Sequence, residues 1–407
     1  MLLDAVSFPF GISFIAVVTI LPLFVREITP STLAVGLVPA ISYLGTLLPP
    51  LFIANLVERM PIQKWYLFWL AVVERLPLLA LAAATPWLGR NNSALLLLMF
   101  FLALTIHSGA MGLNMPSYFN LYAKVIPANR RGGMWGLGGA ISGVLALGGT
   151  WLSGRLLNSY GFPDAYALSF LFAFIALMLG IIGFPFIREL PTNDAPPPIG
   201  TISYIRNTPA LLRTDTRFGY FVAAQVVYSF SYMAPAFYTV YAIDRFKAGA
   251  AEVALFTTVL MATNTVANLL LGILADRRGN KPVLQISMAT AIAAALLALV
   301  APSLWWMYPV FALNSVVYAG ANMGGYNMPL EFAPRTQVPT YVAVSMTAIA
   351  PFRAVVPLIG GVVAGVGYGG VFVISLVAAA LGLAILTLKV SDPRHDPLPE
   401  LAAEAGA

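Results

Sequence analysis

Gly112-Leu113-Asn114-Met115-Pro116 and Gly325-Tyr326-Asn327-Met328-Pro329 are one five-residue pattern, Gly-x-Asn-Met-Pro, written twice in the same chain. Each copy stands near the end of a long apolar stretch, and about half of the 407 residues separate them. The repetition points to a duplicated membrane bundle, an architecture in which small-molecule sites sit at the interface of the repeats.

Composition supports this reading. Hydrophobic residues make up 59% of the chain and charged residues 9%, whereas soluble domains carry about 25% charged residues. So much apolar surface requires lipid or other membrane helices around it. A bilayer-spanning helix takes about 20 residues. The apolar runs are continuous rather than alternating, which excludes a transmembrane barrel. Cysteine is absent, and with it disulfides, thiolate metal sites and cysteine nucleophiles. The first run starts almost at Met1 without a basic leader, Asp4 being its only early charge, and is too long for the apolar core of a signal peptide. It is expected to be retained as the first crossing.

Twelve crossings are predicted, at 6–26, 32–56, 65–88, 94–120, 133–157, 165–187, 217–243, 250–275, 283–301, 304–330, 340–366 and 369–389. The widest break contains Ala195-Pro196-Pro197-Pro198 and divides them six and six. The expected organisation is an N-terminal bundle over 1–187, a cytoplasmic loop over 188–216, a C-terminal bundle over 217–390 and a cytoplasmic tail over 391–407. Within the loop, Ile202 to Leu212 reads as an amphipathic stretch at the membrane surface. With both termini cytoplasmic, the outer side holds only Arg26, Arg90, Arg245 and Lys247, and the remaining loop cations fall inside. This follows the positive-inside rule. The net charge of +6 is therefore a topology signal rather than a nucleic-acid footprint.

Further matches follow the first pair in order. Pro127 and Gly154 correspond to Pro334 and Gly361, and Glu58-Arg59 to Asp276-Arg277. The second of these loops reads Gly272-x-Leu274-Ala275-Asp276-Arg277-Arg278-Gly279-Asn280-Lys281. It resembles the loop signature of the major facilitator superfamily, Gly-x-Leu-Ala-Asp-Arg-x-Gly-Arg-Lys, with Asn280 replacing an arginine. Pro127 to Gly132, including Arg130 and Arg131, resembles the family's entry to the fifth helix. The resemblance covers essentially the whole chain. It implies an all-α integral membrane protein of twelve transmembrane helices in two pseudo-symmetric six-helix bundles, rocking about a central site to give alternating access. It also implies that crossings one, four, seven and ten line the cavity while three, six, nine and twelve are peripheral.

Ionisable residues within a bilayer are costly and therefore informative. His107, on the fourth crossing, shares a helical face with Met111, Asn114 and Tyr118. It reads either as a substrate or proton site, or as a neutral histidine bonded to a neighbouring helix. Arg353 needs a carboxylate, backbone carbonyls or an anionic ligand. Glu74 and Arg75 are adjacent, point about 100° apart and lie on a crossing expected to be peripheral, so a structural role is favoured. Uncharged polar faces outline a transport path: Gln225, Tyr228, Tyr232 and Tyr238 on the seventh crossing, Thr257, Met261, Asn264 and Asn268 on the eighth, and Asn314, Tyr318, Asn322 and Tyr326 on the tenth, with Asn327 of the second motif copy a further candidate. Such residues also serve as hydrogen-bonding glue between helices.

No P-loop, Gly-x-Ser-Gly, Gly-x-Gly-Asp or His-Glu-x-x-His motif is present, and there are two histidines. The expectation is a secondary transporter rather than an enzyme, monomeric, without cofactor or metal, in a bacterial-style inner membrane. Its partners would be the bilayer, a small solute and, in the favoured form, exchanged protons driving export of an amphipathic molecule. Uptake of a sugar-like solute, and a non-transporting receptor or lipid-handling role, are the alternatives. The loop residues Glu58, Arg59, Arg130, Arg131, Gly272, Asp276, Arg277, Gly279 and Lys281 are expected to gate, with Asp276 set against the partial positive charge of the fifth helix's N-terminus. Asp276→Asn should then shift the conformational equilibrium inward, read as altered distances between spin labels on the two halves. Unchanged distances would refute the gating role.

Overall fold

The computed structural model describes residues 1–50, 53, 57, 60–126, 128–189, 191, 212, 214–332 and 338–392. Among these there is helix and no strand. The helices are α1 (Leu2–Ile12), α2 (Ile20–Ile28), α3 (Thr32–Leu47), α4 (Lys64–Asn91), α5 (Ser93–Val125), α6 (Ala128–Tyr160) and α7 (Asp164–Ile181), followed by α8 (Thr216–Ser229), α9 (Tyr238–Phe246), α10 (Ala250–Arg278), α11 (Asn280–Val300), α12 (Met307–Phe332), α13 (Val338–Val366) and α14 (Tyr368–Lys389). With α1–α2 and α8–α9 each counted as one broken crossing, twelve crossings follow in the expected order. Side chains such as Leu98, Leu102, Leu269, Leu270 and Val362 stand exposed on the helices, as a lipid-facing surface requires.

Polar groups set the helix ends. Ser31, Asn92 and Asp215 cap α3, α5 and α8 by accepting from the amides of Ala34, Leu95 and Phe218 at 3.3, 3.0 and 3.0 Å. At the start of α4, the Glu189 carboxylate accepts from the amides of Gln63 and Lys64, each at 2.9 Å, and Lys124 Nζ at the end of α5 reaches it at 3.3 Å. A carboxylate at a helix N-terminus meets unpaired amides and the positive end of the dipole. The turn between α10 and α11 passes through Gly279 at φ 83°, a conformation that a side chain disfavours.

Two crossings predicted as continuous are interrupted. The first passes through a short 3-10 segment, Ser13–Ile15, and extended backbone at Ala16 before α2 resumes. The seventh becomes 3-10 over Phe230–Ala236, where Pro235 supplies no amide. Hydroxyl side chains take up the freed backbone groups. Thr239 donates to the carbonyl of Val18 at 2.8 Å, and the amide of Ala234 donates to Ser375 at 3.1 Å. Discontinuous helices are tolerated in membranes where such partners exist.

The chain forms two compact units, one of Met1–Pro198 with Thr239–Ala262, the other of Ile199–Tyr238 with Thr263–Ala407. In the first, α4 packs on α5 and α7, and α1 on α6 and α7. In the second, α11 packs on α12 and α14, and α8 on α13 and α14. These are the same pairings shifted by six crossings, so the duplication extends to internal packing. The first unit also contains α9 and the start of α10. They are held there by the Arg26–Asp244 ion pair at 2.7 Å, a Thr257–Thr19 hydrogen bond at 2.7 Å and a Thr258–Thr150 bond at 3.0 Å.

The glycine of the first Gly-x-Asn-Met-Pro copy permits the tightest approach between α3 and α5. A Cβ on Gly112 would stand 2.1 Å from the carbonyl oxygen of Gly45. Backbone cannot retreat as a side chain tip can, so Gly112→Val is expected to lower stability by about 3 kcal/mol or more. Gly109→Ala, three residues earlier with open space around its Cβ position, should be neutral or stabilising. Thermal unfolding of both variants in detergent checks the contrast.

Candidate functional site

In the second unit, α8 and its 3-10 extension carry Gln225, Tyr228 and Tyr232 into a polar cluster. Tyr232 packs edge-on against Tyr228 and Tyr318, with ring centroids 5.7 and 6.1 Å apart. The Arg353 guanidinium of α13 stands 5.0 Å from the Tyr232 ring centroid, a cation–π arrangement that stabilises a desolvated charge. The Tyr228 hydroxyl is 3.0 Å from Ser287 Oγ, which donates to the carbonyl of Val317 at 2.8 Å. Gln225 is 1% exposed, and neither its amide oxygen nor its amide nitrogen meets a protein partner. The glycine of the second motif copy leaves room here, since a Cβ on Gly325 would lie 3.1 Å from Gln225 Nε2.

The other predicted residues of this unit are spread more widely. Asn314 is buried with its amide nitrogen unpaired. Asn264 on α10 accepts from Asn268 at 2.9 Å and approaches the carbonyl of Ser315 at 3.5 Å. Asn322 is exposed and Asn327 half-buried.

The first unit holds a different chemistry. Arg75 on α4 is 3% exposed and donates to the carbonyls of Leu177 and Ala71 at 3.0 and 2.8 Å. It lies 3.5 Å from Asp4 of α1 and 3.4 Å from its neighbour Glu74. The sequence argument that adjacent residues diverge on a helix holds for the Cα–Cβ directions. Long side chains close the gap, so the two groups meet. Asn114 of the first motif copy donates to Glu74 Oε2 at 2.9 Å, and His107 Nδ1 lies 2.8 Å from the Glu74 carbonyl oxygen. Since a carbonyl only accepts, Nδ1 carries the proton in that contact. His107 and Asn114 are thus brought together on Glu74.

Sequence reasoning left Asp4, Glu74 and Arg75 out of the candidate site. The signal for Asp4 is that it is the one early acid, just ahead of the predicted first crossing at 6–26. Glu74 and Arg75 were set aside because the resemblance ranks the third crossing as peripheral, yet all three face one cavity.

In the loop motif, Gly272 places its Cα hydrogen toward Met323, while Asp276 and Arg277 are exposed and Lys281 is half-buried. Asn280, the departure from the family signature, is 5% exposed and donates to Glu331 at 2.8 Å. A longer arginine at that buried position would have to displace its neighbours. Glu58 and Arg59 lie outside the described residues, as do the side chains of Arg130 and Arg131.

Helical crossings in two similarly packed units, with polar clusters buried among apolar helices, make a polytopic helical membrane fold. The sequence matches the Major Facilitator Superfamily over residues 3–250 and 242–406, and the chain belongs to that family as a multi-pass membrane transporter. Among curated proteins, none matches this sequence. Solved structures of similar fold include a point mutant of the nucleoside transporter NupG, at TM-score 0.69, 12% identity and coverage of 95% of this chain and 96% of that one. A bacterial homologue of the iron transporter ferroportin aligns at TM-score 0.69 and 14% identity, with coverage of 95% and 96%. A bacterial homologue of the human lysosomal transporter Spinster gives 0.67 and 15%, with the same coverage.

The Arg75 cluster yields a stability test. Arg75→Met removes the cation and leaves two buried carboxylates facing each other, so stability should fall by about 3 kcal/mol. Adding Glu74→Gln removes one of those charges and should recover part of the loss. Detergent-state thermal unfolding of the single and double variants gives the comparison.

Proposed function

We propose that the protein carries a small neutral or amphipathic solute across the membrane by alternating access, and that Gln225 with Tyr228, Tyr232, Tyr318 and Arg353 forms part of the solute-binding surface. Asn264, Asn314, Asn322 and Asn327 extend that path in this reading, and His107 and Asn114 are the candidate solute contacts of the N-terminal bundle. Residues 1–187 and 217–390 act as the moving bundles. The basic-residue asymmetry supports an inner-membrane location with both termini cytoplasmic. The favoured direction is export in exchange for protons, by a monomer.

The observation that carries the reading is Gln225. A buried amide with both of its polar atoms unmet loses hydrogen bonds it would have in water. One neutral side chain offering a donor and an acceptor side by side suits a ligand that is polar without being strongly charged. Tyrosine rings next to it provide apolar area with hydroxyl handles.

Since Gln225 makes no internal side-chain bond, Gln225→Leu should leave the unfolding temperature unchanged or raise it. A thermal-shift screen of the purified protein with neutral, cationic and anionic solutes identifies ligands that stabilise the folded state. Such a solute should lose roughly tenfold or more in affinity in Gln225→Leu, and its flux into proteoliposomes should fall with it. A marked loss of stability in that variant, with binding intact, would make Gln225 structural instead.

A further inference from the structure

A cavity of about 220 Å³ lies within the first unit, between α1, α4 and α5 and bordered by Phe184 beyond α7. Its wall is mostly apolar, with Phe8, Leu67, Met111, Met115, Phe119 and Phe184, and Phe119 is 51% exposed, so the space is not sealed. At its polar side stand Asp4, Glu74, Arg75, Asn114 and Tyr118.

Donors and acceptors on that polar side are unbalanced. Arg75 spends its shortest hydrogen bonds on the carbonyls of Leu177 and Ala71, and its carboxylate contacts are the longer ones at 3.4 and 3.5 Å. Asp4 has further company in the Tyr118 hydroxyl and the α-amino group of Met1. Glu74 receives one hydrogen bond, at Oε2, from Asn114. Glu74 Oε1 and Asn114 Oδ1 are both buried without a partner, on residues 3% and 9% exposed. Two acceptors are unmet on residues that border an apolar space.

We propose that this cavity binds a small amphipathic organic ammonium ion, its N–H groups donated to Glu74 Oε1 and Asn114 Oδ1 and its hydrocarbon body against the phenylalanine and methionine wall. A carboxylate and an amide oxygen call for a cationic donor. The apolar wall favours a hydrocarbon-bearing cation over a hydrated inorganic one. The volume suits one aromatic ring with a short chain, since a cavity of about 150 Å³ already admits benzene. The inference stands on the cavity alone and does not depend on which solute, if any, is carried.

The test is calorimetric titration of the detergent-purified full-length protein with 2-phenylethylammonium chloride, with 2-phenylethanol as the uncharged match. Sodium and potassium chloride at equal concentration serve as inorganic controls. The ammonium ion should bind, the alcohol should bind roughly tenfold or more weakly, and Glu74→Gln should bring the ammonium ion down to the level of the alcohol. Gln285→Ala, on α11 in the second unit and outside the cavity lining, should change nothing. Equal binding of ammonium and alcohol would reduce the site to a greasy cavity, and heat from the inorganic salts alone would make it a metal-cation site. Either result, or no binding of the ammonium ion, overturns the proposal. Should Glu74→Gln fail to fold, the ammonium–alcohol comparison on the unmodified protein still decides. Ammonium binding without any solute flux would uphold this inference while counting against the transport reading, so the two can fail separately.

Discussion

A guanidinium removed from water must find acceptors within the protein, and in the first unit the burial of Arg75 imposes that demand on three crossings. Its Nε is satisfied by the carbonyl of Leu177 on α7 and its Nη1 by that of Ala71 on α4, with Asp4 of α1 and Glu74 alongside. Through Glu74 the network continues to Asn114 and His107, and so reaches α5. An apolar helix surface in lipid gains little from choosing one apolar neighbour over another, so directional polar contacts specify which helices meet and at what register. These acceptors accompany the packing of α4 on α5 and α7, and Asp4 and Glu74 among them border the α1–α4–α5 cavity.

The second unit meets the same constraint with milder chemistry. Tyr228 joins α8 to α11 through Ser287, which in turn holds the carbonyl of Val317 on α12. Ser375 supports the interrupted backbone at Ala234, and Arg353 is placed over an aromatic face. Neutral donors and acceptors require less compensation than ions, which leaves room for one buried group, the Gln225 amide, to stand unmet. An unmet group inside a packed bundle lowers stability. That unmet amide, one helical turn before Tyr228, is the ground for the ligand role proposed above.

The crossings were legible because lipid imposes a simple rule on sequence, namely about 20 apolar residues between polar ends. The expected 65–88, 94–120 and 369–389 lie within Lys64–Asn91, Ser93–Val125 and Tyr368–Lys389. The interruptions were not legible. Pro235 hints at one, but nothing in Ser13 to Thr19 announces the other, where the carbonyl of Val18 accepts from a threonine far along the chain. The tyrosine and glutamine face of the seventh crossing could be read from helical spacing, and Tyr228 and Tyr232 of that face do pack together. The Asp4–Glu74–Arg75 group could not, because it is assembled from separate crossings and because adjacency on a helix says where Cβ points rather than where a long side chain ends. The basic residues read as a topology signal also have local duties: Lys124 reaches the carboxylate that caps α4, and Arg26 pairs with Asp244.

The two Gly-x-Asn-Met-Pro copies show how a duplicated scaffold diverges. Their glycines do different work: a Cβ at Gly112 would strike the Gly45 carbonyl at 2.1 Å, whereas the nearest atom to one at Gly325 would be the tip of the Gln225 side chain at 3.1 Å. At Gly112 the close backbone is a geometric demand that only glycine meets. The asparagines carry no such demand. Asn114 lies against Glu74 because the first unit placed an acid on α4, whereas Asn327 is half-buried on a helix whose own acid, Glu331, accepts from Asn280. A repeat recognisable by its motif can therefore house a carboxylate-rich ionic cluster in one copy and an aromatic one around Arg353 in the other. Chemistry deduced for one half should not be transferred to the other by symmetry.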